Sequence, residues 1–257
     1  MTTRDAWPRK HSILGVEVSA TAYDDAVEAI MAAAHRRRGG VVSAFPVHGV
    51  VTAARDPRLK AKVNTFEMVV PDGQPVRWAL NAIHRTGLED RVYGPELMLR
   101  LCRRAAEDDV GVYIYGSHPG VVGPLRNNLV RWFPKLRVVG CEAPPFRPLT
   151  AEEDREVVER IRRSGAGLVF LGLGCPLQDE FAFSHRDRVD AINVCVGAAF
   201  DFHSGNKRMA PRWMQRTGLE WLFRLCEEPR RLWRRYLVTN SVFAARLCVE
   251  FVRSRVP

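Results

Sequence analysis

The stretch Glu67-Met-Val-Val-Pro-Asp-Gly-Gln-Pro-Val-Arg-Trp78, with Arg91-Val-Tyr-Gly94 shortly after it, decides how this chain is read. Met68-Val69-Val70 is a short apolar run of the kind that forms a buried strand. It ends at Pro71-Asp72-Gly73. There proline presets φ, aspartate can bond its own backbone and glycine tolerates positive φ, so a turn follows. Residues 74–81 then have helical character. Strand, turn and helix in that order place Asp72 at the carboxyl end of a strand, the edge at which open parallel sheets bind their ligands. The plainer role for Asp72 is to serve only the turn or to cap the helix.

Working outward, short apolar strands alternate with helices. Residues 12–18 read as a strand, and residues 24–38 as a helix with Ala26, Ile30 and Ala33 on one face. Residues 40–45 form a buried strand stopped by Pro46, and residues 48–62 form two short helices broken at Asp56-Pro57. Beyond Asp72 come a helix over 95–107, a strand over 111–115, a helix over 121–132 and a strand over 136–139. Thr150 and Glu153 form a capping-box pattern that opens a helix running to 164. A strand over 168–171, a helix from Gln178 and a strand over 191–196 complete the series. This alternation predicts an α/β fold, a Rossmann-like and mainly parallel sheet with helices on both faces.

After Gly197 the character changes. Residues 201–211 read as a polar loop, and 212–226 and 229–252 as two basic helices rich in Trp, Leu and Phe. The chain thus divides into an α/β catalytic domain over 1–205 and a basic helical appendage over 206–257. The helical spacing of Trp213, Leu219, Trp221, Leu222, Trp233 and Tyr236 favours a core face over a membrane-facing one.

Composition narrows the function. With 257 residues and 46% apolar content, the chain can bury a sizeable core and is not disordered. Its six cysteines are widely spread with no C-x-x-C pair, which points to buried thiols in a reducing compartment rather than zinc ligands or disulfides. The amino terminus has no signal-peptide pattern, and no apolar run reaches the roughly 18 residues of a spanning helix, so a cytoplasmic location is expected. The net charge is +10. From residue 206 onward, twelve Lys and Arg face four Glu, a net +8 that leaves the body nearly neutral. That asymmetry implies an anionic partner at the carboxyl end. The seven histidines form no H-E-x-x-H cluster, and Asp72, Asp201 and Glu220 are too scattered in sequence to establish a metal site, which leaves a D-x-D-type arrangement open. Gly116-Ser-His-Pro-Gly120 is a candidate phosphate cradle, but it is neither a Walker A loop nor G-x-G-x-x-G, and a tight strand-to-helix turn explains it as well. Gln178, in the first turn of its helix, is placed to hydrogen-bond a uracil or sugar edge, and a solvated helix start explains it as well.

Together these pieces resemble the WecG/TagA/CpsF family of bacterial glycosyltransferases (glycosyltransferase family 26) over roughly residues 13–243. The resemblance rests on Pro71-Asp-Gly73, Arg91-Val-Tyr-Gly94, Gly172-Leu-Gly-Cys-Pro-Leu-Gln-Asp-Glu180 and Gly197-Ala-Ala-Phe-Asp-Phe-His-Ser-Gly205. It rests also on Arg208-Met-Ala-Pro211 and on Gly218-Leu-Glu-Trp-Leu-Phe-Arg224, continuing through Glu228-Pro-Arg-Arg231. It implies a Rossmann-like fold of the family's own type (GT-E-like). It also implies inverting transfer of a hexosyl or N-acetylhexosaminyl group from a nucleotide donor, usually a UDP-sugar, to a polyprenyl-diphosphate-linked saccharide. The product belongs to cell-surface or exopolysaccharide synthesis, no metal or other cofactor is needed, and the appendage holds the enzyme peripherally on the anionic inner leaflet.

Carried over residue by residue, Asp72 matches the proposed catalytic base, while Arg91 and Gln178 match polar residues of the site. Arg216, Arg224, Arg231 and Arg234 match appendage residues needed for activity. Where the family often has Thr-x-Asn after its second strand, this chain has Ser43-Ala-Phe-Pro-Val-His48. Ser43 stands in for the Thr; Pro46 lacks the Asn's side-chain hydrogen bond, and His48 is the residue placed to compensate. The chemistry agrees: inversion needs one carboxylate to take the acceptor's proton, and arginines or helix amino termini can stabilise the departing UDP without a metal.

Two rivals explain less. A nucleic-acid-binding protein would use the Arg and Trp tail but leaves Pro71-Asp-Gly73 and residues 197–205 without a purpose, so no nucleic acid is expected. A nucleotide-sugar-modifying enzyme such as an epimerase would carry G-x-G-x-x-G, which is missing. The apolar tail faces are compatible with a homo-oligomer.

Overall fold

The computed structural model describes residues 7–145 and 147–253. In chain order the first elements are β1 (Lys10–Ile13), β2 (Val16–Ser19), α1 (Tyr23–His35), β3 (Gly40–Phe45), α2 (Val47–Arg55), α3 (Pro57–Asn64) and β4 (Met68–Pro71). Next come α4 (Gln74–His84), α5 (Gly94–Glu107), β5 (Val112–Gly116), α6 (Pro119–Trp132), β6 (Val138–Glu142), α7 (Ala151–Ser164) and β7 (Leu168–Gly172). The last are α8 (Leu177–His185), β8 (Ile192–Cys195), α9 (Ala199–Ser204), α10 (Arg212–Arg216), α11 (Glu220–Glu227) and α12 (Pro229–Arg253). The larger sheet has six strands in the order β4-β3-β8-β7-β5-β6. This is the α/β, Rossmann-like fold with helices around a parallel sheet that the sequence predicts.

Two compact units divide the chain. The first contains residues 23–43 and 94–208. Its strands pair in parallel from β3 through β8, β7 and β5 to β6. Val41, Val42, Val112, Ile114, Leu168, Phe170, Ile192 and Val194 are buried there. Strands apolar on both faces must be covered on both, which is why they alternate with helices. Burying each such side chain contributes about 1.5–3 kcal/mol. β6 is half-buried along its length, as suits an edge strand. It begins two residues later than the sequence reading of 136–139.

The second unit contains residues 8–22, 44–93 and the chain from Met209 onward. β3 runs into this unit, and β4 lies beside its end, where the Asp72 N–H donates to the Phe45 carbonyl at 3.2 Å. α12 packs along α2 and α4 and buries Leu232, Thr239 and Phe243.

Four sequence expectations are corrected. Residues 12–18 are not one strand: β1 and β2 form an antiparallel hairpin. Leu14 and Gly15 both take positive φ (54° and 80°), the conformation of a primed hairpin turn. The Leu14 N–H is satisfied by Glu250 Oε2 at 2.9 Å, a contact no local pattern shows. The polar loop over 201–211 instead begins with the short helix α9. The single helix over 212–226 breaks into α10 and α11 at Thr217-Gly218. Gly218 there has φ +77°, and a Cβ would stand 2.7 Å from the Trp78 ring. Finally, Trp213, Trp221, Leu222 and Trp233 are exposed rather than core. A 25-residue helix spans about 37 Å, and the stripe of α12 that meets α2, α4 and α11 finds cover while Trp233 does not.

Candidate active site

In the second unit, β4 is buried throughout and ends at Pro71. Asp72 follows, half-buried, and Gly73 caps α4 in an extended conformation. The Val92 N–H donates to the Pro71 carbonyl at 3.1 Å and brings the segment around Arg91 alongside the end of β4. Asp72 acts electrostatically on both Arg91 and Tyr93.

Arg91 is 7% exposed and makes an ion pair through Nη2 with Glu220 Oε2 at 2.5 Å. Its guanidinium carbon lies 4.1 Å from the centre of the Tyr93 ring. The Tyr93 hydroxyl donates to Glu220 Oε1 at 2.8 Å. Burial opposes the guanidinium charge, but Glu220 and then Asp72 more than offset it and hold Arg91 above its ordinary pKa. Burial, then Glu220 and Asp72, push the Tyr93 phenol well up, so it stays a donor. Removing one partner of such a buried pair costs about 3–5 kcal/mol.

His48 stands near the start of α2. Burial first, then the charge of Arg235, hold its imidazole down to about 4. It is therefore neutral at pH 7, able to donate through one nitrogen and accept through the other. On the tail, Arg224, Arg235 and Arg231 all act on Tyr236, whose phenol burial pushes up. Arg231 is already paired with Glu228, Nε to Oε1 at 2.9 Å and Nη2 to Oε2 at 2.5 Å. Arg216 and Arg234 are exposed on α10 and α12.

The first unit holds Ser43 and Gln178. Ser43 is fully buried, and its hydroxyl donates to Asp179 Oδ1 at 2.6 Å. With its proton committed to that carboxylate, the Ser43 oxygen presents acceptor lone pairs. Gln178 is 4% exposed. Its Oε1 has no hydrogen-bond partner among the described residues and would lie 3.4 Å from a Cβ added at Gly197. Burial pushes the Asp179 carboxyl up to about 6, against the hydrogen bonds from Ser43 and Cys175. The candidate phosphate cradle has a packing explanation: a Cβ at Gly116 would stand 2.6 Å from the Gly172 backbone. Among the described residues, no group of three or more His, Cys, Asp or Glu is arranged to hold a metal ion, and no helix is long and apolar enough to cross a membrane.

A model of the WecG/TagA/CpsF family of glycosyl transferases matches residues 11–257. The chain belongs to this family. It is 31% identical over 198 residues to the N-acetylglucosaminyldiphosphoundecaprenol N-acetyl-beta-D-mannosaminyltransferase of Bacillus spizizenii, a match covering 77% of this chain and 74% of that relative.

In this WecG/TagA/CpsF glycosyltransferase, Asp72 and Arg91 fall together, and His48 belongs to the same unit. Four further residues escaped the sequence reading. Glu220 stood within the motif at Gly218 but had no assigned role. Tyr93 stood within Arg91-Val-Tyr-Gly94, and Asp179 beside Gln178. Arg235 is one residue past the predicted Arg234. Each gains its place from a partner distant in sequence, so motif membership was the only signal for Glu220, Tyr93 and Asp179, and Arg235 had none.

Proposed function

We propose that this enzyme transfers an N-acetylhexosamine of the mannosamine type from its UDP donor, with inversion, to a saccharide carried on polyprenyl diphosphate. The observation that supports this most is Asp72 at the end of β4 beside the buried Arg91, in a chain related to an N-acetylmannosaminyltransferase. In this reading the Asp72 carboxylate takes the proton of the acceptor hydroxyl as that oxygen bonds to the anomeric carbon. The bond from the anomeric carbon to the UDP oxygen breaks in the same displacement, and its electron pair leaves with the diphosphate. Arginine charge on the second unit stabilises that leaving group without a metal. His48, neutral, hydrogen-bonds a sugar hydroxyl. The first unit's own part in this reading is Gln178, whose Oε1, without a partner among the described residues, is an acceptor, while the buried Ser43 hydroxyl holds Asp179.

The tail from residue 206 acts as the membrane-associating appendage, peripheral on the inner leaflet. The exposed Trp213, Trp233, Leu237 and Val252 support this, as does the net +8, since each basic residue near an anionic surface adds about 1 kcal/mol. A panel of UDP-sugars offered with N-acetylglucosaminyl-diphospho-polyprenol, read by mass spectrometry, tests the reading. Selective addition of one N-acetylhexosamine is expected. No transfer from any UDP-sugar would overturn it.

A further inference from the structure

The tail enters the surroundings of Asp72 through one carboxylate. Glu220 opens α11, is 8% exposed and has both oxygens occupied, by Arg91 Nη2 and by the Tyr93 hydroxyl. Arg91 is held from its other side too. Its backbone N–H donates to Asp90 Oδ1 at 2.8 Å, and the same oxygen accepts from Gln74 Nε2 at 2.8 Å. The segment 90–93 is therefore tied both to the first turn of α4, two residues beyond Asp72, and to the tail. The charged and titratable groups around Glu220 are Arg91, Tyr93 and, more remotely, Tyr236 with its arginines; Asp72 acts on the first two. Apolar residues would dock the tail as firmly without the desolvation a buried ion pair incurs, so the charge itself calls for a purpose.

We propose that Glu220 is a positioning residue that fixes and neutralises the Arg91 guanidinium, so that docking of the tail sets the charge beside which Asp72 works. This rests on Asp72 being the base. An unopposed guanidinium favours the ionised carboxylate and weakens it as a proton acceptor. With Glu220 in place the pair is close to neutral, and Asp72 keeps its affinity for the acceptor's proton. The base is then competent only when Glu220, 148 positions later in the chain, has docked.

The Glu220→Gln variant tests this, since it keeps the shape and still accepts from Tyr93 but carries no charge. Its kcat is expected to fall several-fold, up to about 10-fold, with little change in KM for the UDP-sugar. The acid limb of its kcat/KM profile is expected to move to lower pH by on the order of one unit, and Glu220→Asp is expected to restore part of both. An unchanged kcat, or a lower kcat with an unmoved limb, overturns the proposal. Hydrogen exchange over 218–228 reports whether the tail is still docked. Should it have come away, Tyr93→Phe, which removes one bond to Glu220, is expected to lose kcat several-fold with the tail in place, and a wild-type kcat there overturns the proposal. Asp72→Asn is assayed in parallel. If it is active, the base assignment falls and the positioning role with it; if it is inactive while Glu220→Gln behaves as wild type, the positioning role alone falls.

Discussion

Replacing Asp179 by asparagine is expected to stabilise the protein at neutral pH, within a definite pH window. Asp179 has no exposed surface, and burial raises its carboxyl from 3.8 to about 6 although Ser43 and Cys175 bond to it. A carboxyl that binds its proton more tightly in the folded chain favours folding fully below pH ~4. That contribution is lost as pH rises through about 6. About two pH units at roughly 1.4 kcal/mol each make the ionised group a burden of about 3 kcal/mol at pH 7.5. At pH ~5 the folded carboxyl is still mostly protonated, and the burden is only about half as large. Asparagine is neutral throughout and keeps an oxygen for the Ser43 hydroxyl. Urea unfolding of both proteins at the two pH values measures the difference. An asparagine variant more stable by up to about 3 kcal/mol at pH ~7.5, with a clearly smaller gain at pH ~5, is expected. A difference of the same size at both would show that the Asp179 charge carries no such burden, and the argument would fail.

Three other outcomes are expected. The His48 imidazole should titrate near 4 by NMR and move upward in Arg235→Gln; a midpoint near 6.5 would contradict its burial beside that charge. Gly218→Ala should lose about 1–3 kcal/mol in urea unfolding, because a side chain there is both strained and within 2.7 Å of Trp78. Trp233→Glu combined with Leu237→Glu should abolish sedimentation with anionic vesicles while leaving UDP release on a short-chain, water-soluble acceptor intact, since both residues are exposed on α12.

Much of the fold is written locally. The run Met68-Val-Val followed by Pro-Asp-Gly is enough to place β4, its turn and α4, because each residue's own backbone preference agrees with its neighbours'. The capping box at Thr150 forms as its spacing requires, with Glu153 N–H on Thr150 Oγ1 at 3.2 Å. The misreadings share a different cause. Leu14, a residue that seldom takes positive φ, sits in a turn whose N–H is satisfied 236 positions away by Glu250. α9 is only six residues long and carries Asp201 and His203, too short and polar to stand out from a loop. The place of Asp72 at the end of β4 was legible from its strand-end position, whereas the burial of Glu220 in the second unit and of Asp179 in the first was not. A carboxylate in the first turn of a helix is usually solvated, and nothing in either segment announces its burial. Burial is decided by Arg91 and Tyr93 in one case and by Ser43 in the other.

The most direct test is UDP release by purified Asp72→Asn and wild-type protein with a lipid-linked acceptor, with circular dichroism confirming that both are folded. With Asp72 as the base, the variant should lose on the order of 100-fold or more in kcat while its affinity for UDP stays close to wild type. A folded Asp72→Asn enzyme turning over within about threefold of wild type would contradict that, because the loss of a true general base is far larger.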